Sequence, residues 1–348
     1  MNIVVIGTGY VGLVTAACLA ECGHQVNCID IDKEKLKKLK RGDIPFYEKG
    51  LKNIVLKAVK NKTLSFSKNY NQSLNQVEAI FLCVGTPPKV NGKPNLSYLK
   101  NSLTSIAENL ENDVAIFVKS TVPVGTNKFA KEFIQKKIKK DLKISFASNP
   151  EFLKEGNAVS DFKKPDRIII GTDDPLVKKV SKEIYKNIAT SKKLIFTSIE
   201  SAEIIKYASN AFLATKIAFI NEISRLSDHF NADIKEIKKG MSMDERIGEH
   251  FLNSGLGFGG SCFPKDLDGL ANRFREFGIP SSIPNAVRLS NDQQINYFSK
   301  KITGNLIGKT SCVMVWGLAF KGGTDDVRES PSIKLIKKIS NKYKEIYA

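Results

Sequence analysis

The chain has 348 residues, 42% of them hydrophobic, and 54 Lys and Arg against 36 Asp and Glu give a formal net charge of +18. That length and apolar content support two or three domains with a substantial core, and no apolar run approaches the ~20 residues that span a bilayer. The lysine excess is spread over helical stretches such as 33–41, 131–140 and 334–344, and no basic block is interleaved with aromatic residues as a stacking platform would be. This argues against a nucleic-acid partner and for solvated helix faces that help attract anionic substrates.

The chain opens with a short apolar strand, Ile3 to Ile6, followed at once by Gly7-x-Gly9-x-x-Gly12 and a small, apolar helix from Leu13 to Ala20. The stretch is broken by glycines and has no basic flank, so it does not read as a signal peptide. A second strand, Val26 to Ile29, ends at Asp30, 18 residues past Gly12 and close to the ~20 expected of an acid that holds an adenosine ribose. Gly7 makes the turn, Gly9 admits the pyrophosphate, Gly12 lets helix and strand pack, and the helix N-terminus supplies N–H groups to the phosphates. Strand, glycines, helix, strand and acid in that order predict dinucleotide binding. Asp30 favours NAD over NADP, because a 2′-phosphate would meet its charge, while Lys33 and Lys35 nearby weaken that preference.

Further apolar strands are expected at 79–84, 114–118, 144–147, 168–171 and 194–196. The first three run into polar turns, Gly85-Thr86-Pro87-Pro88, Lys119-Ser120-Thr121-Val122-Pro123-Val124-Gly125-Thr126 and Ser148-Asn149-Pro150-Glu151-Phe152-Leu153-Lys154-Glu155-Gly156. Alternating strands and helices predict an α/β, doubly wound parallel sheet of Rossmann type, with ligand-binding turns at the carboxyl ends of its strands. From about Ser198 the texture becomes helical. A long helix over 202–230 places Lys206 and Asn210 four apart on one face.

The segment Gly255-Leu256-Gly257-Phe258-Gly259-Gly260-Ser261-Cys262-Phe263-Pro264-Lys265-Asp266 ends a glycine-rich loop on a cysteine, with a lysine and an aspartate just beyond. Glycines let backbone approach a ligand, and a nearby cation favours the nucleophilic thiolate. The six cysteines lack CxxC spacing, which reads as reduced thiols of a cytoplasmic protein with no metal site. Cys18, Cys22 and Cys28 read as core residues. A last strand, the first of a second α/β unit, is expected in Ser311 to Phe320, with an apolar stretch Val313 to Leu318, leading to Lys321-Gly322-Gly323-Thr324-Asp325-Asp326-Val327-Arg328-Glu329-Ser330-Pro331.

Taken together, Gly7 to Gly12, Gly85-Thr86-Pro87, Ser120 to Thr126, Asn149 to Leu153, Gly259 to Asp266 and Phe320 to Ser330 closely resemble the UDP-glucose/GDP-mannose dehydrogenase family, its UDP-glucose branch most of all. The resemblance covers essentially the whole chain. It implies an NAD-binding domain over 1–197, a central helical domain with the cysteine loop and a dimerisation helix over 198–300, and the start of a nucleotide-sugar-binding domain over 301–348. That last domain is expected to stop short at Ala348, after about one strand and one helix, leaving its apolar strand edge uncovered and its activity open.

The implied reaction is the NAD-dependent, four-electron oxidation of UDP-glucose to UDP-glucuronate through a Cys262 thiohemiacetal and thioester. GDP-mannose or another nucleotide sugar remains an alternative, as does an inactive NAD-binding remnant. Ser261 and Lys265 argue against the N-acetylhexosamine branch. By the same resemblance Lys206 and Asn210 stabilise the oxyanion, Asp266 orients a water or aids the first deprotonation, Glu151 is the base for hydrolysis, and Thr121 holds its water. NAD is expected on Gly7, Gly9, Tyr10, Val11, Gly12, Asp30, Lys35, Thr86, Thr121, Glu155, Lys265 and Arg328. The nucleotide sugar is expected on Glu151, Phe152, Leu153, Lys154, Glu155, Lys206, Asn210, Phe251, Leu252, Asn253, Ser254, Gly255, Gly259 and Lys321. Arg246 is expected to reach the substrate of a neighbouring subunit in a homodimer. No membrane partner is expected.

Overall fold

The structure is a computed structural model that describes residues 1–89, 92–138, 141–305, 312–343 and 345–348. The described chain forms two compact units, Met1–Lys206 and Tyr207–Ala348.

The first unit is built on an eight-stranded sheet. Its strands are β1 (Asn2–Ile6), β2 (Gln25–Ile29), β3 (Leu64–Ser67), β4 (Ala79–Leu82), β5 (Val114–Val118), β6 (Ile144–Ser148), β7 (Ile168–Gly171) and β8 (Leu194–Thr197). Its helices are α1 (Tyr10–Glu21), α2 (Lys33–Lys40), α3 (Leu51–Lys60), α4 (Tyr70–Leu74), α5 (Ser97–Asn109), α6 (Thr126–Lys137), α7 (Ala158–Lys163) and α8 (Pro175–Tyr185). The spatial order is β3-β2-β1-β4-β5-β6-β7-β8. All pairs are parallel except β6 and β7, which meet antiparallel through Ser148 and Gly171. The mostly parallel sheet is thus as expected, with that one reversal. The strand β3 was not anticipated, because its short Leu64-Ser65-Phe66-Ser67 run alternates instead of forming an apolar block.

Burial on both faces explains why the inner strands are continuous apolar runs. Ile3, Val5, Phe81 and Phe117 face one core with Leu13, Leu51 and Ile184 from α1, α3 and α8. Val4, Ile80, Leu82 and Ile116 face the other core with Leu103 and Ile134 from α5 and α6. The rings of Phe81 and Phe117 stack at 4.9 Å across β4 and β5. Cys18, Cys28 and Cys83 are buried in the first core, and burial pushes the thiols of Cys18 and Cys83 up to about 12. Cys22 lies at the margin, only partly buried.

The helix α9 (Ile199–Phe230) starts in the first unit and continues into the second, where α10 (Ile234–Ser242), α11 (Phe263–Glu276), α12 (Ser282–Asn305) and α13 (Pro331–Ile339) follow. Two short parallel strands, β9 (Cys312–Met314) and β10 (Glu345–Tyr347), complete it. This corrects the expected last strand. The ladder is three residues long because β10 is, and Val315 adds a hydrogen bond from its N–H to the Tyr347 carbonyl at 2.8 Å. Beyond it the chain leaves the strand, with Trp316 97% exposed. The edge of β9 that was expected to stand uncovered is therefore paired on one side. Ser311, the expected start of this strand, lies outside the described residues.

Candidate active site

The sheet order reverses between β1 and β4, and the crevice outside such a switch point is where doubly wound sheets take ligands. Gly7 leaves β1 at φ +96, and a Cβ there would sit 2.8 Å from the Cys83 carbonyl oxygen. A Cβ on Gly12 would sit 1.8 Å from the Gly7 oxygen, so only glycine lets α1 close on the turn. Gly9, the N-cap of α1, has among the described residues no neighbour within 4 Å of a Cβ position. The open side at Gly9 and the helix N-terminus behind it fit a pyrophosphate.

Asp30 stands at the end of β2 as the acid of this site. Its Oδ2 accepts from Thr8 N–H at 2.8 Å, Thr8 Oγ1 at 2.6 Å and Lys35 Nζ at 2.8 Å, while Oδ1 accepts from Asp32 N–H at 3.0 Å. Burial alone would raise its carboxyl, but Lys35, Thr8 and Asp32 outweigh it, and Asp30 is held below the usual carboxylate range. The Lys35 charge is thus spent on Asp30. The Tyr10 hydroxyl donates to Glu48, and Gly156 N–H reaches both the Tyr10 oxygen and Glu48 Oε2 at 2.8 Å. Burial, then Glu48, pushes the Tyr10 hydroxyl far above the ordinary tyrosine range. Thr86 Oγ1 donates to the Thr121 carbonyl at 2.8 Å, tying the turns after β4 and β5 together.

A second cluster lies at the ends of β5 and β6. Lys206 Nζ is 2.9 Å from Glu151 Oε1, with the two side chains 5% and 6% exposed. Leu153 N–H donates to Glu151 Oε2 at 2.6 Å. Burial would raise the Glu151 carboxyl; Lys206 first, then Leu153 N–H and Lys119, bring it below its ordinary value. The Arg167 guanidinium stands 4.2 Å from the Phe152 ring centre, and Lys206 Nζ 5.5 Å from it. Glu203, one turn before Lys206, accepts from Gly125 N–H at 2.6 Å, Asn127 N–H at 2.9 Å and Asn127 Nδ2 at 2.7 Å. It caps α6 from outside and fixes the start of α9 to the turn that carries Thr121.

The cysteine loop belongs to the second unit. Cys262 is the N-cap of α11, where the helix's positive end favours an anion. Asp266 follows one turn later, buried, and its N–H donates to the Cys262 carbonyl at 2.8 Å. Its carboxylate accepts from Asn210 Nδ2 and Lys265 Nζ, each at 2.6 Å. Buried amides hold the loop: Gly255 N–H donates to Asn221 Oδ1 at 2.9 Å, Phe258 N–H to Asn291 Oδ1 at 2.8 Å, and Gln294 Nε2 to the Gly255 carbonyl at 2.8 Å. Phe251 enters the loop at φ +66, a strained conformation for a bulky residue. Gly260 N–H donates to the Arg328 carbonyl at 2.9 Å, and a Cβ on Gly259 would lie 2.3 Å from the Glu329 oxygen, so the loop backs directly onto the segment after β9.

Residues 1–189 match the NAD binding domain of the UDP-glucose/GDP-mannose dehydrogenase family, 200–293 its central domain and 314–348 its UDP binding domain. The chain belongs to the UDP-glucose/GDP-mannose dehydrogenase family. It is 43% identical to UDP-glucose 6-dehydrogenase YwqF of Bacillus subtilis over 98% of its length and 77% of the relative's. It is 43% identical to a UDP-glucose 6-dehydrogenase of Rickettsia bellii, over 98% of this chain and 79% of that one. A UDP-glucose dehydrogenase structure from Pyrobaculum islandicum matches with a TM-score of 0.93 at 35% identity, covering 99% of this chain and 80% of that one. The family's first domain binds NAD, so NAD is the cofactor, and the crevice at Gly9 and Asp30 fits it.

Within the family frame, the structure brings Glu151, Phe152 and Lys206 together in the first unit, and Cys262, Asp266, Asn210 and Lys265 in the second. Further expected residues have neighbours of their own among the described residues. Lys154 pairs with Asp161 at 3.3 Å, and Leu153 packs on the first core. Arg246 and Arg328 each grip a nearby aspartate, Asp244 and Asp326. Leu252 is buried, and Asn253 Oδ1 accepts from Lys238 Nζ at 2.6 Å. Lys321 Nζ lies 5.5 Å from the Phe320 ring centre. Sequence reasoning missed Thr8, Glu48, Lys119, Asn149 and Glu203, buried polar residues whose partners lie up to 111 residues away.

Proposed function

We propose that this chain oxidises the C6 alcohol of UDP-glucose to the carboxylate of UDP-glucuronate. The observation that carries the reading is Cys262 at the N-terminus of α11 with Asp266 braced by Asn210 and Lys265, a nucleophile that a simple alcohol dehydrogenase does not need. NAD, when bound, accepts one hydride in each of two oxidations. Asp266, with the water it orients, takes the proton of the C6 alcohol as the aldehyde forms. The Cys262 thiolate then adds to the aldehyde carbon, and the C=O electron pair moves onto oxygen. Lys206 and Asn210, one turn apart on α9, stabilise that oxyanion. Loss of the second hydride leaves a thioester. Glu151 takes a proton from a water held by Thr121, the water adds to the thioester, and the C–S bond breaks to return the thiolate.

Phe251 to Gly255, Gly259 and Lys321 are assigned to the nucleotide sugar. Ser261 and Lys265 favour UDP-glucose over N-acetylated sugars. NADH production with UDP-glucose, GDP-mannose and UDP-N-acetylmannosamine tests the choice, with UDP-glucose expected to give by far the highest kcat/KM. A higher value with either other sugar overturns it.

A homodimer through α9 belongs to the same reading. Phe212, Phe219 and Leu226, spaced by seven, form an exposed apolar stripe that continues at Phe230. A second copy would cover it, as seams of this period do. Phe219→Glu is expected to shift the protein to monomer by light scattering; an unchanged mass would exclude this face. A cytoplasmic location fits the six free thiols.

A further inference from the structure

A second buried lysine of the first unit is not used by the proposed reaction. Lys119 directly follows β5 and is 5% exposed. Its Nζ donates to Asn149 Oδ1 at 3.2 Å. Asn149 is fixed from several sides: its oxygen also accepts from the Tyr185 hydroxyl at 2.7 Å, its Nδ2 donates to the Ile169 carbonyl at 3.0 Å, and its N–H to the Val118 carbonyl at 2.9 Å. Asn149 stands two residues before Glu151, so the anchor and the carboxylate share one turn.

A buried ammonium is costly unless an opposite charge compensates it. The hydrogen-bond acceptor of Lys119 is neutral. The Cys83 thiol beside it is held at about 12 by burial and stays protonated near neutral pH. The carboxylate whose charge acts on Lys119 is that of Glu151, while Lys206 repels it. Burial pushes the Lys119 amine below the ordinary lysine range, and Glu151 works against that push. Lys206, paired with Glu151, and Lys119, anchored on Asn149, therefore both lie in the field of one buried carboxylate. A side chain that only filled this volume would be apolar.

The arrangement matters when Lys206 acts. To stabilise the C6 oxyanion, Lys206 must turn from Glu151, and an uncompensated buried carboxylate would then take up a proton and cease to be a base. We propose that Lys119 is a positioning residue whose ammonium, fixed on Asn149, keeps Glu151 charged and in place while Lys206 serves the substrate. The inference rests on the roles given above to Glu151 and Lys206. Among the described residues, the charged groups that act on Glu151 are Lys206 on α9 and Lys119 at the end of β5.

The test combines a substrate-free measurement with kinetics on the full chain. Urea unfolding of the wild type, Lys119→Met, Glu151→Gln and the double variant gives the coupling between the two residues. Lys119→Gln, which keeps a donor for Asn149 without the charge, repeats the cycle should Lys119→Met fold poorly. The stability lost on Glu151→Gln is expected to shrink when Lys119 is already replaced. With UDP-glucose and NAD, Lys119→Met should move the acid limb of the kcat profile up by about one pH unit, a tenfold loss of rate on that limb. Both KM values should stay within about twofold. Additive effects on stability, or an acid limb at the wild-type pH, overturn the proposal. A wild type that makes no NADH from UDP-glucose contradicts the functional reading instead, and the unfolding cycle still decides the role of Lys119.

Discussion

Lys206 Nζ and Glu151 Oε1, 55 residues apart in sequence, form a buried ion pair 2.9 Å long. Each end of this pair has a task in the proposed reaction, one at the oxyanion and one at the hydrolytic water. In the proposed reaction the pair is a resting arrangement that opens during turnover.

Glu151→Gln should leave the first turnover of NADH formation intact and stall hydrolysis, so that a Cys262-linked acyl group accumulates and is seen by mass spectrometry. Lys206→Met should lower kcat by about 10²–10³, as loss of one oxyanion donor does. The pair also sets a pH dependence. Because the folded Glu151 carboxyl lies below its ordinary value, its stabilisation is complete above about pH 4.3 and is lost as pH falls through the lower folded value. The melting temperature of the wild type should thus fall more steeply in acid than that of Glu151→Gln. Parallel curves would show that the pair contributes nothing.

Asp30 should select the cofactor. Its two oxygens are held by Thr8, Asp32 and Lys35, so the carboxylate is aimed and charged before any ligand arrives. Asp30→Ala should weaken NAD about ten- to a hundredfold, the worth of hydrogen bonds to a charged group, and narrow the gap to NADP. Measured kcat/KM for both cofactors checks this; equal use of both by the wild type would show that Lys33 or Lys35 overrides the acid.

The cysteine loop tolerates no side chain where it meets the segment after β9. Gly259→Ala places a Cβ 2.3 Å from the Glu329 carbonyl oxygen and should abolish turnover while NAD still binds the first unit, as read by fluorescence titration. Gly240→Ala, inside α10 and with open space for its Cβ among the described residues, is the control. It should gain about 0.5–1 kcal/mol of stability. Full activity in Gly259→Ala would mean the loop can move away from Glu329.

The sequence made the dinucleotide half of the molecule readable because its chemistry is local. Gly7, Gly9, Gly12 and Asp30 act through backbone turns at fixed spacing, and β1, β4 and β5 are apolar on both faces. What stayed hidden depends on contacts between distant segments. Glu48 reaches Gly156, Glu203 reaches Gly125, and Asn149 joins Lys119 to Tyr185, and no short-range pattern marks those pairs. The strand β3 escaped because half its residues are serine. The last strand was expected too long because apolar residues from Val315 to Leu318 resemble a strand interior, whereas β10 offers a ladder of only three residues.

The central claim is a four-electron oxidation through a thioester on Cys262. Its most direct test is the stoichiometry of the complete reaction, with NADH followed by absorbance and the sugar nucleotide by chromatography. The account predicts two NADH and one UDP-glucuronate for each UDP-glucose consumed, with no free aldehyde, and Cys262→Ser should lose the second oxidation. One NADH per sugar with aldehyde released by the wild type would contradict it.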